Sequence, residues 1–321
     1  MLSVYKVQKG GIKAGSLNDL GNTSLCWADC INPTTKELKN ISEKAKIPLN
    51  ELKNVLDEEE RPKVSDLENY SLIIVRTPIV KQGEILTLPL SIFISKDKNN
   101  VITITLKDIE PVHKIRQLID AKKVDLHEKG ISFFTYRLLD EVLNAYFSIL
   151  DILEEKIDTI EDHVIEKPDK ISVRNIFSVK KTLIYFHKAL TANREVISSI
   201  EKEYVTDIDK KNIKRFRALY NDVTQLIDTE GTYRDILTGT LDIYLSSVSN
   251  NLNKVMKTLT IGASFILIPT LIASIYGMNF VSNSPWNMPE LYWQYGYFFA
   301  LGVMVFSVAG MYIFFRRKGW L

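Results

Sequence analysis

The stretch Leu259-Thr-Ile-Gly-Ala-Ser-Phe-Ile-Leu-Ile-Pro-Thr-Leu-Ile-Ala-Ser-Ile-Tyr276 runs for 18 residues without a charge. A second uncharged run, Tyr295 to Phe315, spans 21 residues. A helix crosses the hydrocarbon core of a bilayer with about 20 apolar residues, so the two runs read as a transmembrane hairpin rather than as a buried core. Orientation follows from the flanks. Lys254 and Lys257 precede the first run, and Arg316, Arg317 and Lys318 follow the second. The connecting loop, Gly277 to Gln294, has neither Lys nor Arg. Basic flanks stay on the cytoplasmic side, which puts the loop outside and both termini inside the cell (inner or plasma) membrane. Trp286, Tyr292, Trp293 and Tyr295 lie where an interfacial aromatic belt belongs, and Trp320 with the basic triplet anchors the inner end.

Outward from the hairpin the composition changes. The whole chain of 321 residues is 25% charged and 45% hydrophobic, ordinary for a folded protein. The charge is segregated, however: between residues 258 and 315 the single charged residue is Glu290. A net charge of +2 gives no reason to expect nucleic acid. Met1 to Lys6 contains no apolar signal segment, so the remainder is expected in the cytosol. Cys26 and Cys30, with no nearby His pair, make a poor zinc signature and read as small buried residues. His113, His127, His163 and His187 are scattered and read as structural.

Residues 1–125 alternate β-rich runs with helical patches. Leu2–Val7, Leu25–Cys30, Tyr70–Arg76, Leu86–Ser95 and Val101–Leu106 read as strands. Thr34–Ala45, capped by Thr34 with Glu37, and Leu49–Glu58 read as helices, as does Pro111 to about Lys122. No Gly-rich phosphate loop and no nucleophile–base constellation is present, which argues against an enzyme and against an organic cofactor. Residues 126–257 are helical throughout: Ile131–Lys167, stopped by Pro168, then Val173–Tyr204, then a helix from near Asp209. The next proline is Pro269. The simplest expectation is one helix from the cytosol into the first span, reaching about 100 Å at 1.5 Å per residue. A break at Gly231 or Gly239 is the alternative. The fold class expected is an α+β membrane protein: a cytosolic α/β domain (1–125), a long-helix bundle and stalk (126–257), and a transmembrane hairpin with a basic tail (258–321).

On the first span, Asn253, Thr260, Ser264, Leu267, Leu271 and Met278 share a narrow stripe, with Met256 on the same side. Two readings fit. Thr260 and Ser264 either let helices pack closely, or the stripe faces water at the centre of an oligomer, since one helix per chain cannot enclose a pore. Directly after the span comes Tyr276-Gly277-Met278-Asn279-Phe280, then Met288-Pro289-Glu290-Leu291, Trp293 and Gly296-Tyr297. Upstream stand Asp242-Ile-Tyr-Leu-Ser-Ser-Val-Ser-Asn250 and Asn253-Lys-Val-Met-Lys257. These motifs resemble the CorA-type magnesium transporters, densely over residues 215–321 and in general architecture over the whole chain. The resemblance implies a homopentamer with the first span lining one pore and the second forming an outer ring. It also implies a cytosolic funnel that binds divalent cations between subunits and closes the pore.

The chemistry of such a site follows from the ion. Magnesium holds its water in a tight octahedron, so a selective pore recognises the hydrated ion. A ring of Asn279 side-chain carbonyls would accept hydrogen bonds from those waters, with Gly277 carbonyls and Met278 alongside, and neutral amides would hold the ion without trapping it. Gly277 would let the chain turn where the helix ends. Asn253 offers a second polar ring, Thr260 and Ser264 offer hydroxyls, and Met256, Leu267 and Leu271 are candidate apolar constrictions or plain packing residues. Five copies of Glu290 would concentrate cations at the entrance. The family often has an acid immediately after Gly-Met-Asn-Phe, where this chain has Val281. In the stalk, Ala218 and Asn221 stand where acids are expected, leaving Asp222 as the regulatory candidate. Asp57-Glu58-Glu59-Glu60 is either a second sensor or a solvated surface run.

These readings converge on uptake of magnesium, possibly cobalt, through a homo-oligomer in contact with lipid and gated by cytosolic magnesium. A cobalt, nickel or zinc transporter is the rival in the same class. The span's lack of His, Cys and Asp argues for a hydrated hard ion. A membrane-tethered helical scaffold is the rival from another class and leaves Asn279 without a role.

Overall fold

The computed structural model describes residues 1–8, 11–20, 25–81, 83–95, 99–121, 126–166, 169–280 and 286–321, and divides into two compact units, Met1–Leu241 and Asp242–Leu321. The elements are β1 (Leu2–Gln8), β2 (Gly11–Ala14), β3 (Cys26–Ile31), α1 (Thr35–Ala45), α2 (Leu49–Asn54), β4 (Lys63–Asp66), β5 (Tyr70–Lys81), β6 (Glu84–Ser95), β7 (Asn100–Thr105), α3 (Glu110–Asp120), α4 (Leu126–Glu166), α5 (Lys170–Glu201), α6 (Ile213–Tyr276) and α7 (Gly296–Arg317).

In the first unit the strands form a sheet in the order β2-β1-β3-β7-β6-β5-β4. Every neighbouring pair is antiparallel except β3 with β7. The central strands read as nearly unbroken apolar runs because both faces are covered; β7 is buried along its whole length. On one face Cys26, Ala28 and Cys30 point, two residues apart, into a core with Leu38, Ile41 and Leu52 from α1 and α2. Both cysteines are free and buried. Burial pushes the Cys26 thiol up to about 11 and that of Cys30 higher still, so neither is a reactive thiolate. On the other face Trp27 packs on Phe134 of α4, centroids 5.1 Å apart.

Local chemistry explains the helix starts. Thr34 and Glu37 cap α1 reciprocally: the Glu37 amide donates to Thr34 Oγ1 at 3.3 Å and the Thr34 amide to Glu37 Oε2 at 2.7 Å. Asp169 caps α5, accepting from the amides of Ser172 (2.8 Å) and Ile171 (2.9 Å). The Ser172 amide chiefly holds the Asp169 carboxyl down at about 2.

The helices are tied to the sheet at one backbone carbonyl. Arg76 O accepts from Tyr146 Oη of α4 (3.1 Å) and from Asn193 Nδ2 of α5 (2.8 Å), while the Arg76 amide donates to Asn193 Oδ1 (2.8 Å). Tyr146 and Asn193 are buried, so these bonds form out of water. Tyr146→Phe leaves Arg76 O one donor. Its expected cost is about 1 kcal/mol, the net worth of one hydrogen bond, measured as the shift in a denaturant midpoint.

The first part of α6 runs parallel to α4 and antiparallel to α5, as paired positions show: Tyr136 with Phe216 and Glu161 with Thr240, against Lys180 with Thr238 and His187 with Glu230. Glu230 is fully buried on α6. Its Oε2 lies 2.7 Å from His187 Nδ1 and its Oε1 4.0 Å from Arg234 Nη1, the latter oxygen without a hydrogen bond.

Several sequence expectations are corrected. The strands β2 and β4 have four residues each, too few for an alternation to register. The predicted second helix stops at Asn54 instead of Glu58, because Arg76 Nη1 draws the carbonyls of Glu58 (3.1 Å) and Glu60 (3.0 Å) into a loop. The strand from Tyr70 runs to Lys81, beyond Arg76. The long helix proper starts after Gly130 (φ 73°, ψ −176°), at the expected Ile131, and what the sequence did not show is the short helical segment from Leu126 in front of it. The α-helix of α6 starts at Ile213 behind a 3-10 turn over Lys210–Asn212, and continues unbroken through Gly231 and Gly239 to Tyr276. Lys122, Lys167, Pro168 and Val281 lie outside the described residues.

Candidate functional site

In the second unit α6 and α7 are each long and apolar enough to cross a membrane. They pair as an antiparallel hairpin: Phe265 meets Phe315 edge-on at 5.8 Å, and Lys257 Nζ donates to Gly319 O at 2.9 Å. Among the described residues Ile261 and Phe315 are the buried side chains of this unit. A helix that is apolar all round needs lipid or protein against it.

Most of the sequence stripe is left uncovered by α7, with Ser264 at the edge of the covered side. Met256, Leu267 and Leu271 are 52%, 65% and 55% exposed. Asn253 and Thr260 are exposed and Ser264 half-buried. Ser264 Oγ donates to Thr260 O and Thr260 Oγ1 to Met256 O, both at 2.8 Å. Each hydroxyl hydrogen is therefore used by the backbone, which satisfies it in an apolar setting. The oxygens still have lone pairs with which to accept from water. Pro269 sits inside α6 without ending it, and Thr270 Oγ1 donates to Ile266 O at 2.7 Å beside it.

At the outer end, the Gly277 amide closes on Ala273 O (2.9 Å) and the Met278 amide on Ile275 O (3.1 Å). Asn279 follows as an exposed residue outside any regular element. The second motif forms a 3-10 turn over Pro289–Tyr292 behind Met288, whose φ is +48°. This turn is locked to α7 by close approach. A Cβ on Gly296 would stand 2.0 Å from Glu290 O, a contact no side chain tolerates. The Gly296 amide donates to Trp293 O at 2.8 Å, and Trp293 packs against Phe299 at 6.1 Å. Glu290 is thus held relative to α7 by the glycine. Gly296→Ala is expected to displace the turn and destabilise the hairpin by about 1–3 kcal/mol, the cost of forcing in extra volume, read as a lowered thermal midpoint. Gly302→Ala, where an added Cβ meets nothing within 4 Å, is expected to leave that midpoint near wild type.

The inner end carries a clasp that sequence reading missed. α7 ends with Gly319 at φ +66°, its amide on Arg316 O (3.1 Å) and the Trp320 amide on Phe315 O (2.9 Å). This is a Schellman closure, with Trp320 stacked on Phe315 at 5.8 Å. Lys257 Nζ stands 5.9 Å from the Trp320 ring. The Gly-Trp pair after a basic turn is the signal that would have found it.

Of the regulatory candidates, Asp222 is half-buried and its carboxyl is raised by burial. Asp140 of α4 is raised as well, mainly by burial, with Asp222 among the charges acting on it. Within the acidic run, Glu60 pairs with Lys63 at 2.8 Å and Glu58 with Lys107 at 3.8 Å. Among the described residues no group of three or more His, Cys, Asp and Glu side chains is arranged to hold a metal ion.

A soluble α/β unit, one continuous helix leading into an apolar hairpin, and basic flanks at the hairpin's inner end define an integral membrane protein with both termini on the cytoplasmic side. Residues 22–317 match the model of the CorA-like Mg2+ transporter protein family, and the chain belongs to that family of transporters. It is 35% identical to the cobalt/magnesium transport protein CorA of Methanocaldococcus jannaschii, over 100% of both chains. It is also 35% identical to the cobalt/magnesium transport protein CorA of Thermotoga maritima, over 84% of this chain and 76% of that one. The complete structure of the CorA magnesium transporter from Methanocaldococcus jannaschii superposes with a TM-score of 0.89 at 32% identity, covering 100% of this chain and 99% of that one.

Proposed function

We propose that this protein is a passive channel for hydrated Mg2+, with Co2+ as a second cargo, built as a homopentamer in the cell membrane. Five copies of α6 surround the pore and five copies of α7 form the ring against lipid. Gly277, Met278 and Asn279 make the outer selectivity filter, and Asn279 carbonyls accept hydrogen bonds from the ion's own waters. Asn253 forms an inner polar ring, Thr260 and Ser264 offer acceptor oxygens between, and Met256, Leu267 and Leu271 close the path by dewetting. Glu290 raises cation concentration at the entrance. Cytosolic Mg2+ at Asp222, with Asp140 beside it, closes the channel. The working division into 1–125, 126–257 and 258–321 separates sheet, stalk and pore.

One observation carries the reading: a polar-then-apolar stripe lies uncovered along α6 and leads to Asn279. A stripe of that kind is stable only against water inside an assembly or against a partner helix. The membrane potential suffices as driving force, since moving a divalent ion down 100 mV releases about 4.6 kcal/mol. Purified protein in liposomes is expected to admit Mg2+ down its gradient, and the detergent-solubilised complex to have five times the chain mass. A monomeric complex, or liposomes that stay impermeable to Mg2+, would sink the proposal and favour a scaffold. Flux of Ni2+ or Zn2+ with none of Mg2+ would favour the softer-metal transporter.

A further inference from the structure

The soluble unit holds a cleft of about 990 Å³ between the β5–β6 hairpin and the faces of α4 and α5. None of the residues assigned above to the ion path lines it. Its floor is apolar, made by Ile149 and Leu153 of α4 with Val179 of α5. Its walls are basic: Lys156 comes from α4, Lys181 and Lys188 from α5, Lys81 from the hairpin and Arg61 from the preceding loop. Among the described residues none of these five cations has a carboxylate within ion-pair distance. By contrast, Glu58 and Glu60 on the same wall are engaged by Lys107 and Lys63. Glu59 and Glu84 also line the cleft and are exposed, and the lining keeps an excess of positive charge.

Unpaired cations converging from four segments repel one another, and a bound polyanion would relieve that repulsion. An inorganic anion would use only the walls. The cleft also presents Tyr185, 48% exposed, one helical turn from Lys181, together with the exposed Ile152. Lys181 Nζ already stands 5.9 Å from the Tyr185 ring. An aromatic face beside basic side chains suits a base attached to phosphates, and stacking of a base on an aromatic side chain contributes about 1–3 kcal/mol. The volume is of the size that encloses a ligand of roughly 300–1,000 Å³.

We propose that this cleft is a binding site for a nucleoside polyphosphate, its phosphates among Lys81, Lys156, Lys181 and Lys188 and its base on Tyr185. The full-length protein in detergent tests this by calorimetric titration at a fixed excess of free Mg2+, so that chelation does not imitate binding. ATP is expected to bind one per chain, more weakly as salt is raised. Tripolyphosphate is expected to bind more weakly than ATP, and adenosine more weakly still. Lys156→Glu with Lys181→Glu is expected to weaken ATP binding by about tenfold or more, leaving the thermal midpoint and Mg2+ flux near wild type. No ATP binding at millimolar concentration, or equal binding by the charge-reversed variant, overturns the site. Tripolyphosphate binding as tightly as ATP overturns the role of Tyr185 and the nucleoside.

Discussion

Asn279→Ala is expected to reduce Mg2+ flux into liposomes by at least about a hundredfold while leaving the assembled complex intact. The side chain follows the last turn of α6, is exposed, and makes no part of either helix, so its loss leaves the packing of α6 on α7 untouched. In the proposed pentamer five amides would each accept from the ion's water shell. A net hydrogen bond is worth about 0.5–1.5 kcal/mol, so losing five removes several kcal/mol. Each 1.4 kcal/mol is about tenfold in an equilibrium constant. Asn279→Asp is the informative companion, since five added charges would bind the cation strongly and slow its release. Flux is measured with a Mg2+-sensitive dye inside the vesicles, and complex size by gel filtration. Wild-type flux from the Ala variant would remove Asn279 from the filter.

The second large effect is on stability. His187→Ala is expected to destabilise the soluble unit by about 3 kcal/mol. Glu230 is fully buried on α6, its Oε2 is held by His187 at 2.7 Å, and Arg234 is no closer than 4.0 Å. Removing one partner of a buried hydrogen-bonded pair takes from the other its strongest contact, typically a loss of about 3–5 kcal/mol where both groups are out of water. The imidazole is 43% exposed, so water can enter in its place and the low end applies. The double variant His187→Ala with Glu230→Leu is expected to recover most of the loss, because the unpaired carboxylate is gone. Denaturant unfolding of the full-length protein, followed by the circular dichroism of the soluble unit's sheet and helices, reads both. A single variant within about 0.5 kcal/mol of wild type, or a double no better than the single, would mean that the contact is not what retains His187.

Much of the architecture was legible because its signals are local. Thr34 and Glu37 announce the start of α1 across three residues, and the structure closes both bonds of that box. The apolar, β-branched runs at Tyr70, Leu86 and Val101 mark the central strands because they are buried on both faces. Boundaries were less legible wherever a distant group decided them. The predicted second helix is cut short by Arg76, and β4 exists because it pairs with β5, not because its four residues prefer a strand. At the candidate site, Gly277, Met278, Asn279 and Glu290 stood out as a motif. The reason for Gly296 did not, since it is the carbonyl of Glu290 six residues away.

By itself the sequence determined the membrane hairpin, its orientation, the stripe on α6 and the Gly-Met-Asn turn at its end. Each is a property of consecutive residues, set by hydropathy, flanking charge and helical period. The tertiary structure alone decided the parallel pairing of β3 with β7, the clasp between Lys257 and Gly319, the burial of Glu230 against His187, and the basic cleft. These depend on groups 62 and 43 residues apart in the clasp and the buried pair. Such contacts arise when packing brings separate elements together, and no local preference of either residue encodes its partner.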